Sequence, residues 1–405
     1  MRLYIFCPYI SSGRGGLEKN GTNLANALAN QDIEVLLGFD ARRFETPLFD
    51  IDKAVELRPW KQPFSQLGPE LSQTNPDVFF VFNGGWRLLE FGFAAEKSNS
   101  VFAFQEATNP RRLVLDNWSV LRKISFARAA WEREIVAAGA VRIRQTMQTY
   151  ARSYPACLRS QVRFFPNAVR PASDSEATPV QPSRKKIINV GGLKKVKNAI
   201  PLIEAFSELA PDFPEWDLDI FGGGFASEKV YQSQVREKAA NSAVRDRIRF
   251  RGEVPDLYPH FEESNIHVIG SLDEGRPTCV AEAMAHGIPS VGFAECPGTN
   301  ELIRNEENGV LVSSCDSSPE LAQVLRSLMG SLEYRNRLGN EARSDAEEFR
   351  PERVLKYWLR FFQEAASYGE DDWRERLFAE QQEIDSERAR SYRRLRNSVW
   401  SQLCS

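Results

Sequence analysis

The stretch Gly270-Ser271-Leu272-Asp273-Glu274-Gly275-Arg276-Pro277-Thr278-Cys279-Val280-Ala281-Glu282-Ala283-Met284-Ala285-His286-Gly287 decides how the chain reads. It follows Asn265-Ile266-His267-Val268-Ile269, an apolar run with the length of a buried parallel strand. Pro277 suits the first turn of a new helix, and Gly287 followed by Pro289 ends it. A strand therefore enters a tight acidic loop, and the loop opens a helix whose free N–H groups can hold an anion. Glu274 falls on the loop and Glu282 roughly one turn into the helix. Two carboxylates beside an anion-holding helix start suit a ligand that carries hydroxyls on both sides of its phosphates. A ribose and a sugar joined by a diphosphate would fit.

Glu274 and Glu282, with seven residues between them, resemble the paired-glutamate motif of retaining GT-B glycosyltransferases, specifically glycosyltransferase family 4. The flanking Glu-Gly-Arg-Pro and Glu-Ala-Met-Ala-His-Gly-Ile-Pro carry the same resemblance. It implies an α/β chain of two Rossmann-like domains, their parallel sheets facing across a cleft, with a C-terminal helical extension. It also implies that Glu274 meets the donor sugar's hydroxyls and Glu282 the ribose. Gly275, Arg276, Pro277 and Thr278 would complete that side of the donor site.

At 405 residues the chain has room for two domains with separate cores. A formal net charge of −3 argues against a dedicated nucleic-acid binder. The six cysteines form no CxxC pair, and with three histidines a metal cluster is not expected. Dispersed cysteines suit a reducing compartment. Neither a signal peptide nor an apolar run of about 20 residues is legible, so a cytoplasmic protein is expected.

Leu3-Tyr4-Ile5-Phe6, a glycine loop ending Gly15-Gly16, a helix from Leu17 to Ala29 and Ile33 to Leu37 make a βαβ opening. The loop is either a plain tight turn or, as the resemblance implies for Gly15 and Gly16, part of the cleft near diphosphate and acceptor. The strand Asp77 to Phe82 ends at Asn83 and Trp86, candidate acceptor contacts with a structural turn as the alternative. Val101 to Phe104 ends at Gln105 and Glu106, near where the family often places a histidine; the first 259 residues contain none, and Gln105 or Glu106 would take its place. Between Pro110 and Arg170 twelve basic residues face three acidic ones. A solvated helix face would explain this, as would attraction to anionic lipid or a phosphate-bearing acceptor.

A Ser- and Pro-rich linker, residues 173–185, separates an acceptor domain (1–172) from a donor-binding domain (186–348). Lys186 to Val190 is a strand running into Gly191, Gly192, Lys194 and then Lys197-Asn198 before a helix. The last pair resembles the family's Lys-Asn, whose lysine contacts the diphosphate; a lysine opposing a helix dipole also wants an anion. The family usually has arginine where Gly192 stands, with Lys194 or Lys195 as substitutes here. Arg251 and Gly252, after the strand from Ile248, are where the resemblance implies that the base is held. Gly298-Thr299-Asn300-Glu301 is expected to open a further helix, and His286, at a helix C-terminus where a cation is favoured, is expected to be structural. Residues 349–367 are expected to return to the first domain as a crossover helix. The tail 368–405 is expected to pack on its own protein, with dimerisation or membrane contact as alternatives.

Together these readings imply a nucleotide-sugar-dependent hexosyl- or related transferase acting on a growing cell-surface or lipid-linked glycan. No metal or cofactor is required if Lys197 and the Thr278 helix opening stabilise the diphosphate. The rivals are a GT-B binder with weak or lost activity, a Rossmann oxidoreductase, and a nucleotide-sugar epimerase. The oxidoreductase does not account for Lys197-Asn198, and the epimerase lacks a visible acid/base set.

Overall fold

The computed structural model describes residues 1–8, 10, 16–42, 46–82, 88–98, 100–106, 140–154, 156–172, 184–224 and 226–368. Gly15, Asn83, Trp86, the arginines between 111 and 133 and the tail beyond 368 lie outside them. The chain divides into two units, Met1–Pro166 with the chain from Val354 onward, and Asn167–Arg353.

In the first unit the strands are β1 (Arg2–Phe6), β2 (Glu34–Asp40), β3 (Val55–Trp60), β4 (Val78–Phe82), β5 (Phe102–Glu106), β6 (Arg142–Gln145) and β7 (Val162–Phe164). They form one parallel sheet in the order β3-β2-β1-β4-β5-β6-β7. The five residues of β4 are all buried, as an unbroken apolar run covered on both faces requires. Helices α1 (Gly16–Ala29), α2 (Gly68–Thr74) and α3 (Leu88–Ser98) belong to this unit.

Two short strands escape a reading by pattern. β6 is Arg-Ile-Arg-Gln, yet all four residues are buried. Arg142 is held by Glu364 at 3.0 Å, and Arg144 donates to Gln105 Oε1 at 2.6 Å and to the Phe165 carbonyl at 2.9 Å. Arg163 on β7 also reaches Glu364, at 2.7 Å. Part of the basic run is therefore not a solvated helix face: Arg142 and Arg144 are interior strand residues.

The chain's last described helix, Pro351–Ala366, buries Val354, Trp358, Phe361, Phe362 and Ala365, the spacing of a single apolar stripe. Trp358 and Phe362 lie edge-on to Phe80 at 5.4 and 5.3 Å, and Phe165 meets Trp358 at 4.8 Å. Glu364 on the same helix collects Arg142, Arg163 and Arg360.

The second unit repeats the design with β8 (Lys185–Val190), β9 (Trp216–Phe221), β10 (Ile248–Gly252), β11 (Ile266–Val268), β12 (Ser290–Phe293) and β13 (Gly309–Val312). All pairs are parallel, in the order β10-β9-β8-β11-β12-β13. The order reverses between β8 and β11, where open α/β sheets leave a crevice at their carboxyl edge. The helices of this unit are α4 (Ile200–Leu209), α5 (Lys229–Ala240), α6 (Tyr258–Glu262), α7 (Thr278–Ala285), α8 (Ser318–Gly330) and α9 (Leu332–Ala346); the crossover helix Pro351–Ala366 is α10. Ser331 separates α8 from α9 by capping the latter, its hydroxyl accepting from the Tyr334 N–H. Gly298 to Glu301 form turns, not the expected helix. Leu302 and Ile303 both donate to the Thr299 carbonyl, and the chain turns away after one loop.

Candidate donor site

The site grows from the loops that follow β8 and β11, one on each side of the reversal in strand order. After β8, the N–H groups of Gly191 and Gly192 both point to the Phe221 carbonyl, at 3.2 and 2.8 Å. Gly192 has φ +76 and Gly222, after β9, has φ +108. A Cβ on Gly192 would overlap the Gly223 carbonyl oxygen, and one on Gly222 would come within 2.8 Å of the Gly192 nitrogen. The two glycine turns thus interlock through backbone, which only glycine allows. The residue that the family resemblance expects to be arginine has no room for any side chain.

The chain then makes one 3₁₀ turn, Lys195–Lys197, preceded by Lys194, whose carbonyl accepts from the Lys197 N–H at 2.8 Å. Asn198 takes the left-handed conformation, φ 46, and its amide donates to the Cys315 carbonyl at 3.0 Å. Lys197 therefore precedes α4 by a short turn and does not lie within it. Its aliphatic stem crosses Gly191, where an added Cβ would stand 3.2 Å from Cδ.

After β11, the Leu272 N–H donates to the Val196 carbonyl at 2.9 Å, tying the acidic loop to the lysine loop. The Glu274 N–H donates to Pro297 O at 3.1 Å. Gly298, φ +84, allows this approach: a Cβ there would lie 2.7 Å from Glu274 O and 2.8 Å from Gly275 O. Pro277 precedes α7 with φ −67 and ψ 112 and offers the helix's first N–H groups no side-chain cap of its own. An electropositive helix start beside a lysine is a place for an anion.

Lys197 Nζ lies 2.5 Å from Glu274 Oε1, with side chains 23% and 12% exposed. Burial alone would lower the lysine's pKa, but attraction to Glu274 and the hydrogen bond to it outweigh that, so it is raised. The same site pushes the Cys279 thiol up to about 12, through burial first and Glu274 second. Cys279 is thus a protonated packing residue, not a nucleophile. Glu282 is half-buried on α7, one turn beyond Thr278. Arg276 stacks over the Phe349 ring at 5.1 Å. Arg251 pairs with the buried Asp219 at 3.0 Å, and Gly252, φ +68, turns its carbonyl to the Gly222 N–H at 2.7 Å.

His286 is structural, as its place at the helix end led one to expect. Burial lowers its pKa, and Nδ1–H donates to the Glu282 carbonyl at 2.7 Å, so the ring is a neutral brace within α7. His267 on β11 is wholly buried beside Ser290, at 3.0 Å, and burial pushes it down to about 3. In the first unit Gln105 is interior and spends its carbonyl on Arg144, so it is not an exposed contact. Glu106 is the half-exposed one, its Oε2 accepting from Tyr154 Oη at 2.5 Å and Gln145 Nε2 at 2.8 Å. Gly16 begins α1. Sequence reading missed Gly298, Cys315 and Tyr154, because each acts through a neighbour remote in the chain. Among the described residues no group of three or more His, Cys, Asp or Glu side chains is placed to hold a metal ion.

Two parallel-sheet α/β units define the GT-B class of fold. Residues 172–345 match the family described as "Glycosyl transferases group 1", which falls within the second unit. An uncharacterised glycosyltransferase of Haemophilus influenzae is 29% identical over 174 residues, 43% of this chain and 48% of its own length. A poly(glycerol-phosphate) alpha-glucosyltransferase of Bacillus subtilis is 23% identical over 195 residues, 48% of this chain and 28% of its own. The chain thus spans half or less of the length of these curated relatives. Over 90% of the chain, the fold is similar to Anabaena HepE in complex with UDP and glucose, with a TM-score of 0.71, 16% identity and 99% of that chain covered. A glycosyltransferase from Rickettsia africae is similar over 91% of the chain and 99% of its own, with a TM-score of 0.72 and 16% identity.

Proposed function

We propose that the chain is a retaining glycosyltransferase of family 4. It moves a hexose or related sugar from a nucleotide-diphosphate sugar to a hydroxyl of a growing cell-surface or lipid-linked glycan. The observation that carries this reading is the meeting of Lys197 and Glu274 where the strand order reverses between β8 and β11. The lysine and the start of α7 hold the pyrophosphate and stabilise it as it departs. Glu274 takes the sugar's hydroxyls and Glu282 the ribose, while the turn at Arg251 and Gly252 receives the base. The acceptor attacks on the face from which the diphosphate leaves, and the leaving phosphate takes the acceptor's proton. The reading calls on neither a protein base nor a metal.

The HepE structure supports the donor class, being a complex with UDP and glucose. The acceptor class draws on a Campylobacter jejuni relative, 22% identical, named as a galactosaminyltransferase acting on an undecaprenol-linked glycan. A lipid-linked acceptor would place the chain in the cytoplasm, at the membrane's inner face. Among the described residues no helix is long and apolar enough to cross a membrane. A second reading, a nucleotide-sugar binder with weak or lost transferase activity, is favoured by the absence of any side chain at Gly192.

The deciding experiment is a thermal-shift screen of UDP-, GDP-, ADP- and dTDP-sugars, followed by a donor-hydrolysis assay without acceptor. One base class should stabilise the protein, Lys197→Ala should weaken that binding severalfold or more, and slow hydrolysis should follow. Donor affinity unchanged in Lys197→Ala would refute the site. Binding without hydrolysis or transfer would favour the second reading.

A further inference from the structure

In the reading above Glu274 meets the sugar and Thr278 opens the helix that faces the phosphates, and only three residues lie between them. Before Glu274 the loop is bonded through its backbone, by Leu272 to Val196 and by Glu274 itself to Pro297. Directly after it, Gly275 has no side chain to pack, and the next residue, Arg276, leads out of the loop. Its guanidinium lies over the Phe349 ring, 5.1 Å from the ring centre. Phe349 closes the 3₁₀ turn after α9, is buried among Ile269, Val280 and Met284, and accepts at its carbonyl from the Val169 N–H at 2.9 Å. Burial lowers the Arg276 pKa, and attraction to Glu348 and Glu301 works against that. Those carboxylates belong to two different segments, the same 3₁₀ turn and the turns that follow Gly298. A guanidinium so placed gains little net stability, because desolvation offsets the attraction. What it supplies is a fixed place for the loop.

We propose that Arg276 is a positioning residue for sugar transfer: rooted on Phe349, it holds Glu274 at a fixed place relative to the start of α7. This rests on the donor-site reading of the same loop. The helix itself is kept in place by its buried face, Val280, Ala281 and Met284. Without the arginine's anchor the backbone at Gly275 lets the carboxylate shift against that helix. A displacement of about 1 Å at a reacting centre costs on the order of a hundredfold in rate. Lys197 and the α7 N–H groups still hold the phosphates. Loss of the anchor therefore falls on turnover and spares the binding of a bare nucleoside diphosphate.

The test uses the full chain with UDP-glucose, GDP-mannose and ADP-glucose and their bare diphosphates, in wild type, Arg276→Met, Arg276→Lys, Phe349→Leu and the Arg276→Met, Phe349→Leu double variant. Calorimetric titration reads binding, and donor hydrolysis without acceptor reads kcat and KM. For the nucleotide the protein takes, Arg276→Met and Phe349→Leu should each lower kcat about tenfold or more, with the Kd of the bare diphosphate within about threefold of wild type. The double variant should be no worse than the worse single one, since both cut the same tie. Arg276→Lys keeps a charge near Glu301 and Glu348 and should fall between, which keeps the test available if Phe349→Leu folds poorly. If Arg276→Met loses diphosphate affinity by about tenfold or more and Phe349→Leu does not, the arginine is itself a phosphate ligand and the proposal is wrong. An unchanged kcat in Arg276→Met, or losses that multiply in the double variant, overturn it although the donor site stands. If wild type binds a donor without hydrolysing it, amide exchange across residues 272–276 of the nucleotide-bound protein decides: faster exchange in both single variants supports the tie, and unchanged exchange refutes it. If wild type binds no member of the panel, the donor-site reading falls and the proposal falls with it.

Discussion

Gly192 and Gly223 meet backbone to backbone, so closely that a single Cβ on Gly192 would overlap the Gly223 carbonyl oxygen. The contact joins the turn after β8 to the turn after β9, and the Leu193 N–H closes it by donating to that same carbonyl at 2.9 Å. Restoring an arginine at 192 is therefore not a repair. We expect Gly192→Arg and Gly192→Ala both to lose stability, the alanine by more than about 2 kcal/mol through overlap and positive φ. Urea denaturation measures this. An arginine variant as stable as wild type, with tighter nucleotide binding, would show that the turn can open.

Gly298 supports the acidic loop from behind, facing the carbonyls of Glu274 and Gly275. Gly298→Ala should push that loop and lower sugar transfer at least tenfold, with some loss of stability from its positive φ. Donor kinetics and a thermal melt are the checks, and unchanged kcat/KM would mean that the loop yields without moving Glu274.

Glu364 anchors α10 to two arginines, the buried Arg142 and Arg163, and also pairs with Arg360 on its own helix. Burial alone would raise its pKa, but the arginines outweigh that and hold it low. A carboxylate with a depressed folded pKa contributes stability above the unfolded value of about 4.3, and loses it as pH falls through the folded value. Glu364→Ala should cost roughly 3–5 kcal/mol at pH 7, because it leaves Arg142 buried and unpaired by this partner. The deficit should shrink in acid, and denaturant unfolding at pH 7 and pH 3.5 would show whether it does.

His267 sets a separate acid limit. Its folded pKa, about 3, lies below the unfolded value, so the native ring stays neutral while the unfolded one protonates. Stability should be complete above about pH 6.5 and fall by up to about 1.4 kcal/mol per pH unit below it. His267→Val should flatten this slope at some cost from the orphaned Ser290 hydroxyl. An unchanged slope between pH 6.5 and 4.5 would assign the acid sensitivity to other groups.

Much of the donor half was legible because its signals are local. The apolar strand before Gly270, the Pro277 start and Gly287 stop, and the glycines after β8 and β9 each state a backbone need within a few residues. The first unit was less legible at β6, where Arg142 and Arg144 sit in a buried strand and find their partners at Glu364, Gln105 and the Phe165 carbonyl. Charge at those positions reads as surface until the distant acceptors are known. His286 was legible as a structural residue at its helix end, but that its ring is neutral follows only from burial against Tyr258 and Phe261.

By itself the sequence determined most of the donor half's strands and helices and where a phosphate-friendly helix start would fall, because periodicity, turns and caps act over a few bonds. Only tertiary structure decided that β8 and β11 are neighbours, that Lys197 and Glu274 bond to each other across 77 positions, and that Gly192 has no space for arginine. Those outcomes depend on sheet order and on backbone meeting backbone, which pairwise spacing along a chain does not encode.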